Sequence, residues 1–417
     1  MDSYGIVVIG GGPAGMAAAV AAREAGVKKI LLIERDRELG GILQQCIHNG
    51  FGLHHFKEDL TGPEFSERYI RRMEELAIPC RLDTTVLQIT ANREIMYINA
   101  EEGVKTVSAE AIVLAMGCRE RSRGALNIPG TRPSGVLTAG TAQRFVNVEG
   151  FVPGNKTVIL GSGDIGMIMA RRLTLEGAQV EAVVEILPYI GGLIRNEVQC
   201  LHDFEIPLFL QHTVTRIHGE ERVNAVTIAQ VDGRRNPIAG TERTIACDTL
   251  LLSVGLIPEN ELSSMAGIQL DPVTGGALVD EMRQTNVPGV FAGGNVLHVH
   301  DLVDNVSWES ELAGESAAKF AIDGKQGKRG EIRVKAGRNI RYVVPQTISG
   351  QREATLYMRV SEPEEMVRIK VGDIMTKGVR VVKPSEMLKI ELSAEVLKKL
   401  KDGTKEIIVD CEKRGGK

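Results

Sequence analysis

Residues 5–15 read Gly5-Ile6-Val7-Val8-Ile9-Gly10-Gly11-Gly12-Pro13-Ala14-Gly15, and the fold turns on this stretch. The apolar run 5–9 is what a parallel strand buried on both faces requires. The glycines follow at once, and an Ala-rich helical stretch runs from Met16 to Glu24. The spacing has a chemical reason. Gly10 permits the tight turn, Gly12 lets the backbone approach a pyrophosphate, and Gly15 lets helix and strand pack closely. The pyrophosphate then faces the positive N-terminal end of a helix. A second strand, Lys29 to Ile33, ends at Glu34, 19 residues beyond Gly15. A carboxylate at that offset can accept hydrogen bonds from a ribose.

The pattern then recurs. Thr157 to Leu160 reads as a strand, Gly161-Ser162-Gly163-Asp164-Ile165-Gly166 as the turn, and Met167 to Glu176 as the helix. The next strand, Gln179 to Val184, ends in Glu185, again 19 residues after the third glycine. A lone Gly-x-Gly-x-x-Gly is weak evidence, since glycines also punctuate ordinary turns. Two copies, each flanked by strand and helix and each with its acid at the same offset, predict two dinucleotide sites.

The rest of the composition narrows the class. At 417 residues the chain exceeds one ordinary core, so two or three domains are expected. A charged fraction of 25% with net charge −4, signs interspersed, gives no reason to expect nucleic acid or an anionic membrane as partner. No apolar run reaches the roughly 18 residues of a membrane span, and the N-terminus lacks a basic signal-peptide region, so a cytoplasmic protein is expected. The six cysteines (46, 80, 118, 200, 247, 411) are dispersed and read as reduced thiols.

Two further segments, Ala111-Ile-Val-Leu-Ala-Met-Gly117 and Val290-Phe-Ala-Gly-Gly-Asn295, complete an order of motifs that resembles the two-dinucleotide-binding-domain flavoproteins. These form the superfamily of the pyridine nucleotide-disulfide oxidoreductases, and the resemblance covers residues 1 to about 325. It implies an α/β fold with two Rossmann-like domains, the NAD(P) domain inserted in the FAD domain. The expected boundaries are 1–150 with 260–328 for FAD and 151–259 for NAD(H). On the FAD side the implied contacts are Gly10, Gly12, Pro13, Ala14, Gly15, Glu34, Arg35, Gly41, Val86, Ala115, Met116, Gly117, Gly294 and Asn295. Asn295 stands where the family carries an acid on the flavin ribityl chain, and an amide can still hydrogen-bond a hydroxyl. Val306 and Ser307 match the family's helix N-terminus aimed at the flavin, with Ser307 also a good N-cap. On the NADH side they are Gly161, Gly163, Asp164, Ile165, Gly166, Glu185 and Gly255. Glu185 favours NADH over NADPH because a carboxylate repels a 2′-phosphate; Arg171 or Arg195 could discriminate otherwise.

The redox disulfide of that superfamily is missing. Its two cysteines, laid without gaps on this chain, fall on Leu43 and His48, and no histidine follows His300. His48 could handle a proton beside the flavin. Cys46 could act as a single redox thiol if its pKa is depressed, or pack as a structural one. The pair His298 and His300 invites a metal reading, but with no third spaced ligand it is read as lining the flavin pocket or a subunit surface, and no metal is expected.

Three stretches resemble one branch more closely: Gln45 to Leu53, Ile128 to Pro133 with Thr138-Ala139-Gly140, and His300 to Asp304. That branch contains the NAD-linked flavoprotein subunits found with anaerobic glycerol-3-phosphate dehydrogenases, and related subunits of opine, proline and cyanide-forming amine dehydrogenases. The likeness implies hydride transfer between NADH and FAD, electrons passing to oxygen or to a partner dehydrogenase, often with a small cysteine-rich redox protein, in an oligomer. Two alternatives stay open: a self-sufficient NADH oxidase or peroxidase, and a non-catalytic nucleotide-loaded assembly subunit. Beyond a Gly/Lys-rich linker at 324–330, short alternating runs predict a small β-rich, sandwich-like domain over 331–417, suited to docking or dimerising.

Overall fold

The computed structural model describes residues 1–324 and 330–413. Residues 325–329 of the expected linker, and the last four residues of the chain, lie outside the described residues. The chain forms two compact units, Met1–Cys118 with Pro258–Lys417, and Arg119–Ile257. The inserted unit therefore begins at Arg119, earlier than the sequence reading of 151. The reason is pairing: the strand Val136–Thr138 joins the second unit's sheet beside Thr249–Leu252, and the Ala139–Asn147 helix packs into that unit's core. No strong apolar strand announces this segment in the sequence.

In the first unit, Asp2–Ile9 is central, flanked in parallel by Ile30–Ile33 and by Gly103–Leu114. The last strand of this sheet, Val290–Ala292, pairs in parallel with the far end of Gly103–Leu114. Ile6, Val7 and Val8 are wholly buried, as a strand covered on both faces demands. The Pro13–Glu24 helix buries nine consecutive residues, most of them alanine, from Ala14 to Ala22. That smallness lets a second helix, Val303–Asp323, approach closely: a Cβ on Gly314 would meet the Ala18 carbonyl oxygen at 2.2 Å.

The second unit repeats the scheme. Lys156–Leu160 is central, flanked in parallel by Gln179–Glu185 and Thr249–Leu252. In both units the chain leaves the central strand to one side and returns on the other. The crevice at the carboxyl ends of the strands is where open α/β sheets take their ligands. A three-stranded antiparallel sheet (His212–His218, Ala225–Gln230, Arg243–Ala246) covers the second unit's other face.

The C-terminal part is a two-sheet sandwich of five and three strands around its own apolar core. The strands Ile340–Val344, Ala354–Val360 and Leu388–Leu392 coincide with the alternating runs of the sequence; Ile332–Ala336 and Thr347–Ile348 had no such signal. The sandwich is part of the first compact unit. Tyr342 and Val344 are buried in the same cluster as Ile9, Leu114 and Val290.

Candidate functional site

In both glycine-rich turns the first glycine makes the tight turn and the third lets helix and strand pack closely. Gly10 has φ of 107°, and a Cβ there would meet the Ala115 carbonyl oxygen at 2.3 Å. A Cβ on Gly15 would meet the Gly10 carbonyl oxygen at 1.8 Å, so helix and strand pack only because it is glycine. Gly12 is different: a Cβ would have nothing within 4 Å. Its glycine is not needed to fold the turn, and it leaves open space of the kind a phosphate cradle needs. Beside it the first-turn N–H groups of the Pro13–Glu24 helix lack intrahelical acceptors.

The second turn matches position by position. Gly161 has φ of 103° with the Ser253 carbonyl oxygen 2.1 Å from its virtual Cβ, and Gly166 would meet the Gly161 carbonyl oxygen at 2.6 Å. Gly163 meets nothing nearer than 3.6 Å. Gly117 and Gly255, each two residues past the small residue behind the first glycine, both have positive φ and open space. Asp164 and Ile165 open the second helix, whose buried side includes Gly166.

The two acids do more than the sequence suggested, because each braces its own turn. Glu34 accepts the Gly11 N–H with one oxygen and the Asp36 N–H with the other. Glu185 accepts the Ser162 N–H (2.8 Å) and hydroxyl (2.7 Å) with one oxygen and the Leu187 N–H (2.9 Å) with the other. Each is nearly buried. Arg35, beside the first acid, is exposed; the Thr84 N–H donates to the Glu34 carbonyl and brings half-buried Val86 to the same edge.

Gly41, named from the resemblance, belongs to a second pair of glycines whose counterpart in the other half the sequence reading missed. Gly40-Gly41 and Gly191-Gly192 stand six and seven residues after Glu34 and Glu185. The Gly40 N–H donates to the Gly11 carbonyl, and a Cβ on Gly41 would lie 3.1 Å from the Gly12 Cα. The Gly191 N–H donates to the Ser162 hydroxyl, and a Cβ on Gly192 would lie 2.8 Å from the Asp164 backbone nitrogen. Both pairs thus bring a second backbone segment over the phosphate cradle. The repeat of acid-x5-Gly-Gly was the available signal.

The first cradle is then closed from the far end of the chain. Gly294 has φ of 75°, and its virtual Cβ would touch the Ala14 Cβ (2.8 Å) and Val306 Cγ1 (3.1 Å). Ala14, Gly294 and Val306, separated by almost 300 residues, meet here. Asn295 turns its carbonyl oxygen to the His300 N–H (2.9 Å) and its amide to Cys118 Sγ (3.6 Å). Val306 and Ser307 do not start their helix. It begins at Val303 after Leu302, which provides no side-chain cap, so the pair lies in the second turn and Ser307 is no N-cap. Asp304 occupies the first turn instead and accepts the N–H groups of His54 (3.0 Å) and His55 (2.6 Å). His55 Nε2 in turn lies 2.9 Å from the Tyr69 hydroxyl, which donates to Glu311 Oε1 at 2.8 Å.

Cys46 follows the short helical turn Gly41–Gln45, its sulfur turned to the Ile42 carbonyl at 3.2 Å. Burial pushes this thiol up to about 12, the opposite of the depressed value a redox thiol needs. His48 is half-buried against Phe51, with its Nδ1 3.1 Å from the Asn49 carbonyl. His298 and His300 neither line a surface nor lack a third partner. Both are buried and reach Glu309, with Nε2 to carboxylate distances of 3.2 and 3.0 Å. The three could hold a metal by composition and spacing. Arg283, however, holds the same carboxylate at 3.0 Å, which places a full positive charge where a cation would sit.

Two matched glycine-rich turns, each with an open central glycine and a bracing acid, form a paired scaffold of the kind that holds two dinucleotides. The chain belongs to the pyridine nucleotide-disulphide oxidoreductase family, whose model matches residues 4–310. That family binds FAD and NAD(P)H, and the open cradles at Gly12 and Gly163 fit such groups. Among curated proteins the chain is 28% identical over 315 residues to hydrogen cyanide synthase subunit HcnB of Pseudomonas protegens, covering 70% of this chain and 65% of that one. It is 27% identical over 347 residues to an opine oxidase subunit of Agrobacterium tumefaciens, covering 77% and 66%. The chain thus spans just under two thirds of the length of these relatives. In fold it is similar to thioredoxin reductase of T. acidophilum, with TM-score 0.62 and 22% identity over 77% of this chain and all of that one. A NAD-dependent persulfide reductase of A. fulgidus matches 94% of this chain and 74% of its own, with TM-score 0.59 and 18% identity. Among the described residues no helix is long and apolar enough to cross a membrane.

Proposed function

We propose that this chain is an FAD-dependent NADH:acceptor oxidoreductase that works as one subunit of a larger assembly, exchanging electrons between NADH and a partner dehydrogenase. One observation carries the reading: both dinucleotide cradles are intact, yet the loop that follows the first, residues 40–48, holds a single high-pKa thiol and no cysteine pair. Electrons that arrive have no disulfide in that loop to receive them. HcnB and the opine oxidase protein are both named as subunits, which supports an acceptor on another chain.

Bound FAD supplies a ring that takes a hydride from NADH and releases electrons one or two at a time. The residues of this chain do the rest. Gly10, Gly12, Gly15, Gly41 and Gly294 shape the first cradle, and Glu34 fixes its turn and offers its carboxylate to the ribose. Gly161, Gly163, Gly166, Gly191 and Gly192 shape the second, where Glu185 selects against a 2′-phosphate. Arg171 and Arg195 are both exposed, whereas Glu185 is buried and fixed against the second turn, which supports the carboxylate as the group that sets the preference.

Anaerobic mixing with NADH tests the reading. The bound flavin absorbance should bleach, with slow reoxidation by oxygen and faster reoxidation once the co-purifying partner is added. Absence of bleaching with both NADH and NADPH would sink it. Rapid oxygen turnover by the isolated chain would favour the self-sufficient oxidase.

A further inference from the structure

Glu309 is a fully enclosed carboxylate that sits between two parts of the first unit. Its Oε1 takes Arg283 Nε at 3.0 Å and His298 Nε2 at 3.2 Å. Its Oε2 takes His300 Nε2 at 3.0 Å and the Gly294 N–H at 3.1 Å. Arg283, His298 and Glu309 are each no more than 1% exposed. Burial pushes His298 down to about 4, while His298, Arg283 and His300 together hold the Glu309 carboxyl well below the usual carboxylate range against its own burial. A buried charge with four donors is stable only while the set is complete.

The four donors come from different places. Gly294 belongs to the turn that touches Ala14 and Val306 over the first cradle. Arg283 continues outward: its Nη2 donates to the Thr355 carbonyl at 3.3 Å, and its guanidinium lies over the Tyr357 ring, both in the C-terminal sandwich. Tyr342 and Tyr357 of the sandwich also pack edge-on and tilted against His298. Around this joint, Arg359 donates to the Val299 carbonyl and the Met387 N–H to Asp301.

We propose that Glu309 is a positioning residue for the flavin-facing turn, and that through Arg283 it ties the seating of the C-terminal sandwich to the shape of the FAD cradle. The proposal rests on the reading that the turn at Gly294 faces FAD. The side chain is not a catalytic residue; it sets where the Gly294 N–H points. Glutamine cannot replace it, because its NH2 group would face donors on one side of the cage.

The test uses the FAD-bound protein. Glu309→Gln should weaken FAD binding roughly ten- to a hundredfold, as expected for losing a charge-assisted hydrogen bond set. At saturating FAD it should also alter the flavin's visible circular dichroism. Gln346→Ala provides the comparison, since it removes a sandwich contact to the Val279 N–H that involves neither Glu309 nor its four donors. It should lower the melting temperature with FAD affinity and dichroism unchanged. If Glu309→Gln does not fold, His300→Leu and His300→Gln replace it. Loss of the donor should weaken FAD binding and the glutamine should recover part of it. Unchanged FAD affinity and dichroism in Glu309→Gln, or in His300→Leu, would overturn the proposal. So would one equivalent of zinc or iron in the native protein that disappears in His300→Leu, since the trio would then be a ligand set. Purified wild-type protein that never holds FAD would sink the cofactor reading itself, a separate result.

Discussion

The two dinucleotide cradles are close copies, and their differences are more instructive than their likeness. Each has a turn glycine pinned by a small residue on the returning strand, an open central glycine, a packing glycine, and an acid braced on the turn's own N–H. In the first, the turn residue is Gly11; in the second it is Ser162, whose hydroxyl gives Glu185 an extra donor. In the first, Pro13 leaves the helix end free; in the second, Asp164 stands there, accepting the Leu193 N–H (2.8 Å) and the Asn196 amide (2.6 Å). Among the described residues, Gly294 with Val306 closes over the first turn from the far end of the chain, and the glycines of the second turn meet no such segment. A roof drawn from the far end of the chain suits a group that stays bound. A cradle without that far-end roof suits a dinucleotide that must come and go each turnover.

That contrast can be broken directly. Gly12→Val should give protein with a near-normal melting temperature and no bound flavin, because the fold leaves space for the side chain and the cofactor needs that space. A fully yellow, folded Gly12→Val protein would remove the first cradle from the reading. Gly163→Val is the mirror experiment: flavin content should stay normal while NADH no longer bleaches it. Next in size, Glu185→Ala should raise KM for NADH by about tenfold or more with flavin content unchanged, since it removes a ribose acceptor and unbraces Ser162 and Leu187 together. An unchanged KM would show that the second acid is only structural. The smallest effect belongs to Cys46→Ser, which should leave NADH oxidation within about twofold, because a thiol with a pKa near 12 carries almost no thiolate at neutral pH. The same shift predicts slow alkylation of Cys46 at neutral pH, rising as pH approaches 12.

The sequence disclosed what depends on local chemistry. Glycine spacing, the acids Glu34 and Glu185, and the alternating runs of the sandwich are set by neighbours within a few residues, so periodicity and turn rules reach them. What it hid depends on long-range packing. The strand Val136–Thr138 is three residues long and gains its place only by pairing with Thr249–Leu252. Val306 and Ser307 were misplaced because the helix starts without a capping side chain, leaving no mark at Leu302. His298 and His300 looked short of a partner because Glu309 lies nine residues beyond His300, inside a helix, while Arg283 precedes both. The Gly-Gly repeat was visible all along, but only comparison of one half of the chain with the other exposes it.

The seating of the C-terminal sandwich bears on how the protein can be shortened. Val344 is fully buried with Ile9 and Leu114 beneath the first sheet, and Arg283 spends a donor on the Thr355 carbonyl. A chain ending before residue 331 would bare an apolar floor and strand a buried guanidinium, so it should aggregate instead of yielding a minimal reductase. The sandwich is therefore a foundation of the first unit, and a cut near residue 330 would pass through one compact body rather than between two.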